Sequence, residues 1–334
     1  MYELLGICLV LAALLTINAI ASTVAAACAA LLRPALERRS ARTRAEILFA
    51  LRVGPTALAL LSVTLFLVPS YLGYEPYKTS EIVSKKLAAL AILSALGVTL
   101  ALWRVLRSWL ATRALLQEWL DGAVQIELSG TSIPTFRISN PFPIIAVVGI
   151  IRPRLFIATS VLETLSEDEL SAAIAHEGGH LAGRDNFKRS LLRACRDALM
   201  IVPCGRSLDR AWAEAAECAA DEHAAQQSAA VALNLASALV KIAKMVPVGA
   251  RATVPLAAFL VGVEETRGVK ARVRRLLEIA SQGCRVRLRS SLIRRILPAS
   301  TLCGLVLLAA VVANSPRVLV SVHMVIERAV KVLS

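Results

Sequence analysis

Two histidines stand four positions apart, at His176 and His180, and Glu177 directly follows the first of them. On an α-helix, residues at this spacing lie on one face about one turn apart, so both imidazoles can reach one metal ion. Glu177 is rotated by about 100° from His176, which predicts a carboxylate that touches metal-bound water without ligating the metal. Zinc lowers the pKa of such water toward about 7, and Glu177 would accept its proton during attack on a peptide carbonyl. The pattern predicts a zinc site, with a surface helix carrying two unrelated histidines as the alternative.

The third ligand must come from elsewhere, because a catalytic zinc ion usually has three protein ligands and one open position. In the layout HExxHxxGxxH this ligand would stand at position 186, which is Asn here, although Gly183 fits the layout. A glutamate from a later helix is the other solution, and Glu217 followed one turn later by Asp221 supplies it. We expect Glu217 to ligate and Asp221 to fix the tautomer of a histidine ligand. Glu214 could also reach the metal, and a solvated acidic face is the alternative for the whole segment.

The glycines inside the histidine pattern oppose helix formation, since Gly178 and Gly179 each cost roughly 1 kcal/mol relative to alanine. Glycine beside a metal also permits close approach of a substrate or of a neighbouring helix. Of the other two histidines, His223 is interpreted as incidental and His323 as part of the tail.

The elements that position these residues predict an α+β fold, with a small sheet before the histidines and helices after them. Ser166 and Glu169 have the form of a capping box, which starts a helix through both histidines. Further helices are expected at 211–227, which is rich in alanine, and at 270–280, which is basic on one side. Short β-branched segments between glycines and prolines predict strands at 124–128, 135–138, 144–150 and 154–158.

The composition indicates a membrane protein. Hydrophobic residues make up 57% of the 334 residues and charged residues 19%, with a mean hydropathy of +0.64. A soluble domain averages about 45–50% apolar and about 25% charged residues, and a spanning helix needs about 20 apolar residues. Four runs without acidic or basic residues satisfy this length, the third only just: 4–32, 53–74, 87–103 and 296–316. We predict three spans within 1–110, a peptidase domain at 111–290, a fourth span at 291–316 and a short tail at 317–334.

The net charge of +14 follows this arrangement of spans. Arginines crowd the first loop, the end of the third span and the start of the fourth, whereas the second loop carries few basic residues. Lysine and arginine excess marks cytoplasmic flanks. We therefore expect an integral multi-pass protein of the cytoplasmic membrane, with the peptidase domain inside and both termini outside. The basicity is assigned to topology, so direct nucleic-acid binding is not expected.

The ordered set of motifs resembles the BlaR/MecR-type membrane metallopeptidases and their relatives, the HtpX-like and CAAX-processing proteases. The resemblance implies a zinc peptidase fold whose site is completed by a glutamate and, four residues later, an aspartate, which Glu217 and Asp221 match. Val269–Val273 resembles a basic helical motif further along. Residues 317–334 are too few for the large extracellular sensor of penicillin-sensing members, so we expect the membrane and protease unit alone. The motifs that carry the resemblance are Asn140-Pro-Phe, Val148-Gly-Ile, Pro153-Arg-Leu-Phe-Ile, Leu165-Ser-Glu-Asp-Glu-Leu, His176-Glu-Gly-Gly-His and Arg184-Asp.

The function that the resemblance implies is cleavage of a cytoplasmic or juxtamembrane protein, with a transcriptional repressor or a damaged membrane protein as candidate substrates. The lipid bilayer is the other expected partner. The strand near 147–150 is the expected edge for substrate, since extended peptides often bind by adding a strand to a sheet. A non-catalytic membrane signalling scaffold on a metallopeptidase fold is the alternative, because no Tyr, His or Arg stands out in the sequence as the group that stabilises an oxyanion.

Overall fold

The computed structural model describes residues 2–76, 83–128, 130–197, 205–246, 266–281, 311–312 and 315–333. The N-terminal helical region contains α1 (Tyr2–Glu37), α2 (Ala41–Ser62), α3 (Val68–Tyr74) and α4 (Lys85–Asp121), and a π-helical turn (Val63–Leu67) joins α2 to α3. The sheet contains β1 (Val124–Ile126), β2 (Thr135–Ile138), β3 (Ile145–Val148) and β4 (Arg154–Ala158). The helices that follow are α5 (Thr159–Thr164), α6 (Glu167–Gly183), α7 (Asp185–Asp197), α8 (Gly205–Ala225), α9 (Ala229–Met245), α10 (Thr266–Ser281) and α11 (Pro316–Leu333).

Three helices in the described part of the chain are long and apolar enough to cross a membrane: α1, the continuous helix Ala41–Tyr74, and α4. They confirm that the first three apolar runs are candidate spans. The second helix starts well before the apolar run at 53–74, because the Ser40 side chain caps it by accepting the N–H of Thr43. The predicted fourth span at 291–316 lies outside the described residues except for 311–312 and 315–316.

The two ends of the helical bundle have different neighbours. At one end, Leu5, Tyr71 and Leu87 pack with Ile326 of α11, and the Ser70 hydroxyl donates to the Leu319 carbonyl at 2.8 Å. The predicted tail at 317–334 is therefore a packed helix over its described part. At the other end, where the basic first loop lies, α1 and α2 contact α7 and α8.

The contact between α2 and α8 combines apolar packing with ion pairs. Leu48 of α2 lies in one buried cluster with Trp212 and Ala216 of α8. Arg52 of α2 pairs with Asp209 at 2.9 Å, and both side chains are largely buried. The helix that carries Glu217 and Asp221 is thus packed along a helix of the N-terminal helical region.

The sheet has the strand order β1-β2-β4-β3, in which β2 and β4 are parallel and the other pairs antiparallel. Its buried face packs against α6 and α9, with Phe156 and Val147 in the same core as Ala173 and Leu239. The strand expected at 144–150 ends at Val148, because Gly149 adopts a φ of +106°. β3 is left at the edge of the sheet, beside α6.

Candidate metal centre

α6 begins where the capping box predicted. The Ser166 hydroxyl accepts the N–H of Glu169, and the Glu169 carboxylate accepts the N–H of Ser166. Glu169 also accepts hydrogen bonds from Ser237 at 2.6 Å and Lys241 at 2.7 Å, which tie α6 to α9. These contacts fix the helix that carries both histidines.

The structure brings together the three residues predicted to bind metal. One potential ligand atom from each of His176, His180 and Glu217 lies within 4.8 Å of the others. Nε2 of His176 is 3.6 Å from Oε2 of Glu217, and Nε2 of His180 is 3.6 Å from Oε1. Both imidazoles are buried. Glu214 is exposed on α8 and is not part of this cluster.

The two helices that carry the clustered residues, α6 and α8, approach closely at Gly179. A Cβ atom on this residue would lie 2.8 Å from Cα of Ala220 on α8. A Cβ atom on Gly178 would meet open space. The close approach of α8 therefore explains why glycine stands at position 179. Gly178 has no such neighbour, and open space lies beside it on α6.

Each histidine has a carboxylate at its second ring nitrogen. Oδ1 of Asp221 lies 2.9 Å from Nδ1 of His176, the arrangement expected for Asp221. Oδ2 of Asp185 lies 2.7 Å from Nδ1 of His180. The contact between Asp185 and His180 is a hydrogen bond, whereas Asp221 lies close to Nδ1 of His176 without hydrogen-bond geometry. A carboxylate beside Nδ1 favours the tautomer whose Nε2 can bind a metal.

The sequence analysis assigned no role to Asp185. A usable signal was the pair Arg184-Asp185, which is one of the motifs that carry the resemblance. Arg184 adopts a left-handed φ of 52°, which ends α6 and turns the chain back. A Cβ atom on Gly183 would collide with the Asp185 carboxylate, so glycine makes room for it.

Two arginines that the sequence analysis left without a role contact the ligand set. Arg272 of α10 pairs with Asp221 at 2.7 and 2.8 Å, and its Nη1 lies 3.2 Å from Oε2 of Glu217. Arg189 of α7 donates to Oε1 of Glu217 at 3.0 Å. The basic segment at 269–273 had been noticed, but only the tertiary fold shows that Arg272 faces inward.

Glu177 is fully buried, and its two oxygens have different surroundings. Oε2 accepts the backbone N–H of Val147 on β3 at 3.2 Å, whereas Oε1 has no hydrogen-bond partner among the described residues. Burial raises the pKa of Glu177, although the nearby His180 and His176 act in the opposite direction. A carboxyl group with a raised pKa is suited to exchanging protons near neutral pH.

The other groups of the site show an excess of negative charge. Burial opposes a charge on His180, but Glu217 and Asp185 outweigh it and raise its pKa to about 10. Burial also opposes ionisation of Glu217, yet His180, His176 and Arg272 hold its pKa well below the ordinary value. Burial likewise opposes ionisation of Asp221, but Arg272 and His176 outweigh it and lower the pKa of Asp221 to about 2. The site therefore attracts positive charge, and a proton and a metal ion compete for His180.

A divalent cation fits this environment. When both histidines are neutral and Glu177 is ionised, the four carboxylates Glu177, Asp185, Glu217 and Asp221 outnumber the two guanidinium groups of Arg189 and Arg272 by two charges. Among the described residues, Nε2 of His180 and Oε2 of Glu217 are buried without a hydrogen-bond partner. Two imidazole nitrogens and one carboxylate oxygen are a ligand set that suits zinc.

Asn186, at the position where another layout would place a third ligand, has a different role. Its side-chain amide donates to the carbonyl groups of Val147 at 2.8 Å and of Gly149 at 3.2 Å. Asn186 therefore holds the edge strand against α7. His223 is exposed on α8, and His323 lies on α11 beside Glu75 and Glu327.

Comparison with known proteins matches the central part of the chain to a protein family. No curated protein matches the chain. The BlaR/MecR type and the HtpX relationship stay predictions. The matched region includes most of β3 and all of α6 and α8, which hold Glu177, its backbone partner Val147 and the three clustered residues. Residues 146–253 match the sequence model of Peptidase family M48, and this similarity indicates a protease.

Proposed function

We propose that this chain is a membrane-integrated zinc endopeptidase. The observation that carries the proposal is the cluster of His176, His180 and Glu217, in which one potential ligand atom from each residue lies within 4.8 Å of the others. His176, His180 and Glu217 would bind the ion through Nε2, Nε2 and a carboxylate oxygen. Zinc, when bound, supplies a Lewis acid that lowers the pKa of water toward about 7.

Glu177 is the proposed general base. The N–H of Val147 holds Oε2 in place, so Oε1 is the oxygen that takes a proton from the attacking water. The same carboxyl group can then return the proton to the leaving amine. Asp221 and Asp185 hold the two imidazoles in orientation and do not take part in proton transfer.

The edge of β3 is the proposed site for substrate backbone. The N–H of Ala158 donates to the carbonyl of Ile144 at 2.8 Å, so the polar groups of Ile144 and Ala146 face β4. The N–H and C=O groups of Ile145 and Val147 point to the outer edge of the sheet. Those of Val147 already form hydrogen bonds with Glu177 and Asn186. Ile145 is therefore the position where an extended peptide can add as a strand.

The proposed location is the cytoplasmic membrane, with the peptidase region on the cytoplasmic side. The basic first loop and α7 and α8 lie at the same end of the helical bundle, and α11 packs at the other end. This agrees with the direction of the charge bias. A cytoplasmic or juxtamembrane protein, such as a repressor, is the proposed substrate.

Reporter fusions after Ser40, Thr79, Ser281 and Ser334 test the sidedness. The first and third should report the cytoplasm, and the second and fourth the opposite side. A cytoplasmic signal at Ser334 would contradict the scheme, most simply by removing the fourth span.

The decisive experiment for the enzyme is Glu177→Gln in the purified full-length protein. This variant should keep its zinc while peptide hydrolysis falls to background, because the water loses its base and the metal keeps its ligands. His176→Ala is the matched variant that should lose the metal itself. Hydrolysis at the wild-type rate by Glu177→Gln would refute the mechanism, and a cellular role that survives this substitution would favour the signalling scaffold.

A further inference from the structure

Arg189 joins α7 to α8 at the candidate metal centre without belonging to the proposed ligand set. Its Nη2 donates to Oε1 of Glu217 at 3.0 Å. Its guanidinium carbon lies 5.9 Å from the centroid of the Trp212 ring, at a distance where a cation is attracted to an aromatic face. Trp212 is itself buried and packs in the cluster shared with Leu48 of α2. The guanidinium is therefore held on a rigid indole surface.

The two oxygens of Glu217 consequently differ. Oε1 is occupied by a charge-assisted hydrogen bond, which is shorter and stronger than a neutral one. Oε2 makes no hydrogen bond among the described residues, although Nη1 of Arg272 lies 3.2 Å from it as an ion pair. Each oxygen lies 3.6 Å from one imidazole, Oε1 from Nε2 of His180 and Oε2 from Nε2 of His176. A carboxylate with both oxygens unrestrained could bind a metal through either oxygen or through both.

We propose that Arg189, supported by Trp212, is a positioning residue that holds Oε1 of Glu217, so that only Oε2 is presented to the metal. The inference rests on the proposed zinc site. Arg189 would limit Glu217 to one metal-binding oxygen. This leaves a coordination position open for water and substrate.

A purely electrostatic role for Arg189 makes the opposite prediction. A cation beside the ligand carboxylate repels zinc, so its removal should strengthen zinc binding if charge alone matters. If orientation dominates, removal should weaken binding, since loss of a group that orients a ligand typically costs about 10–100-fold in metal affinity. Whether zinc binding becomes stronger or weaker therefore distinguishes a purely electrostatic role of Arg189 from an orienting one.

The test measures zinc affinity of the full-length protein in detergent, by competition with a chromophoric chelator. Arg189→Met should bind zinc about 10–100-fold more weakly than wild type, and Arg189→Lys should recover part of the loss because it keeps a charged donor. Arg193→Met is the matched control: Arg193 lies one turn further along α7 and donates to Ser108 on α4 instead. Melting curves in chelator confirm that each variant is folded.

Cobalt substitution gives a readout that a merely structural role would not change. Visible absorption of Co²⁺ weakens as the coordination number rises, so Arg189→Met should show lower intensity per bound ion when Oε1 joins the metal. Unchanged affinity and an unchanged cobalt spectrum in folded Arg189→Met would overturn the inference, as would tighter zinc binding.

Should Arg189→Met fail to fold, Arg189→Gln and Arg189→Lys decide by the same two measurements. Weaker zinc binding by Arg189→Gln than by Arg189→Lys supports the inference, and wild-type values for both overturn it. A wild-type protein that takes up no zinc would instead overturn the proposed function, so the two failures are distinguishable.

Discussion

Substituting Gly179 by alanine should separate the two helices that carry the metal ligands. The added Cβ would lie 2.8 Å from Cα of Ala220 and 3.1 Å from Cβ of both Ala220 and His223. Carbon atoms are at their optimum separation near about 3.5–4.0 Å, so α6 and α8 must move apart by roughly half an ångström or more. Backbone atoms cannot rotate out of the way as the end of a flexible side chain can.

The expected cost follows from two opposing effects. Alanine gains roughly 1 kcal/mol over glycine in a helix, whereas overpacking a buried contact costs about 1–3 kcal/mol. We expect a net loss of up to about 2 kcal/mol in the free energy of unfolding. His180 and Glu217 would be displaced from one another, and about 1.4 kcal/mol of strain in the zinc-bound state would weaken zinc binding about tenfold.

Gly178→Ala is the matched control, because its Cβ meets open space. It should stabilise the protein by up to about 1 kcal/mol and leave zinc affinity near the wild-type value. Chemical denaturation in chelator and zinc titration measure the two quantities. Equal stability and equal zinc affinity for Gly179→Ala and Gly178→Ala would refute the argument.

Four further substitutions test the site and its surroundings. Asp185→Asn should weaken zinc binding about 10–100-fold, because His180 loses the carboxylate that orients it; unchanged affinity would contradict that role. Glu217→Gln should lose the metal in a zinc titration and Glu214→Gln should keep it, and the reverse would contradict the ligand assignment. Glu169 has a pKa lowered to about 2, because its hydrogen bonds from Lys241, Ser237 and Ser166 outweigh the effect of burial. Its contribution is therefore present above about 4.5 and is lost as the pH falls toward 2. Glu169→Gln should lower the free energy of unfolding by about 1–2 kcal/mol at pH 7 and weaken its decline in acid, as measured by denaturation in chelator.

The sequence predicts the local features of the site well because they depend on helical periodicity. The spacing of His176 and His180, the cap at Ser166 and the step from Glu217 to Asp221 are all set by one helix each. Periodicity alone did not choose between Glu214 and Glu217. The choice needed the neighbouring aspartate and the resemblance, and the structure places Glu214 in solvent.

The sequence does not predict contacts that depend on how helices pack. Arg189 and Arg272 stand on different helices from Glu217. Nothing in the sequence around Arg189 marks it, and the segment around Arg272 was noticed only as a basic helical motif. The directions of their side chains depend on how α6, α7, α8 and α10 pack together. The residue type at position 186 already excluded a histidine ligand there. The hydrogen bonds of Asn186 to the edge strand could not be predicted, because they depend on how α7 packs beside β3.

The packing of α2 along α8 has a consequence for how this protein can be divided. Trp212, Ala215 and Ala216 are buried under residues of α1 and α2, including Leu36 and Leu48. A fragment limited to residues 111–290 would expose this apolar surface to water and leave Asp209 without Arg52. The boundary at 110 thus separates two stretches of sequence but cuts through one hydrophobic core. Helices α1 and α2 thus cover one side of the proposed peptidase, and a soluble version of it would need other residues to cover that apolar surface.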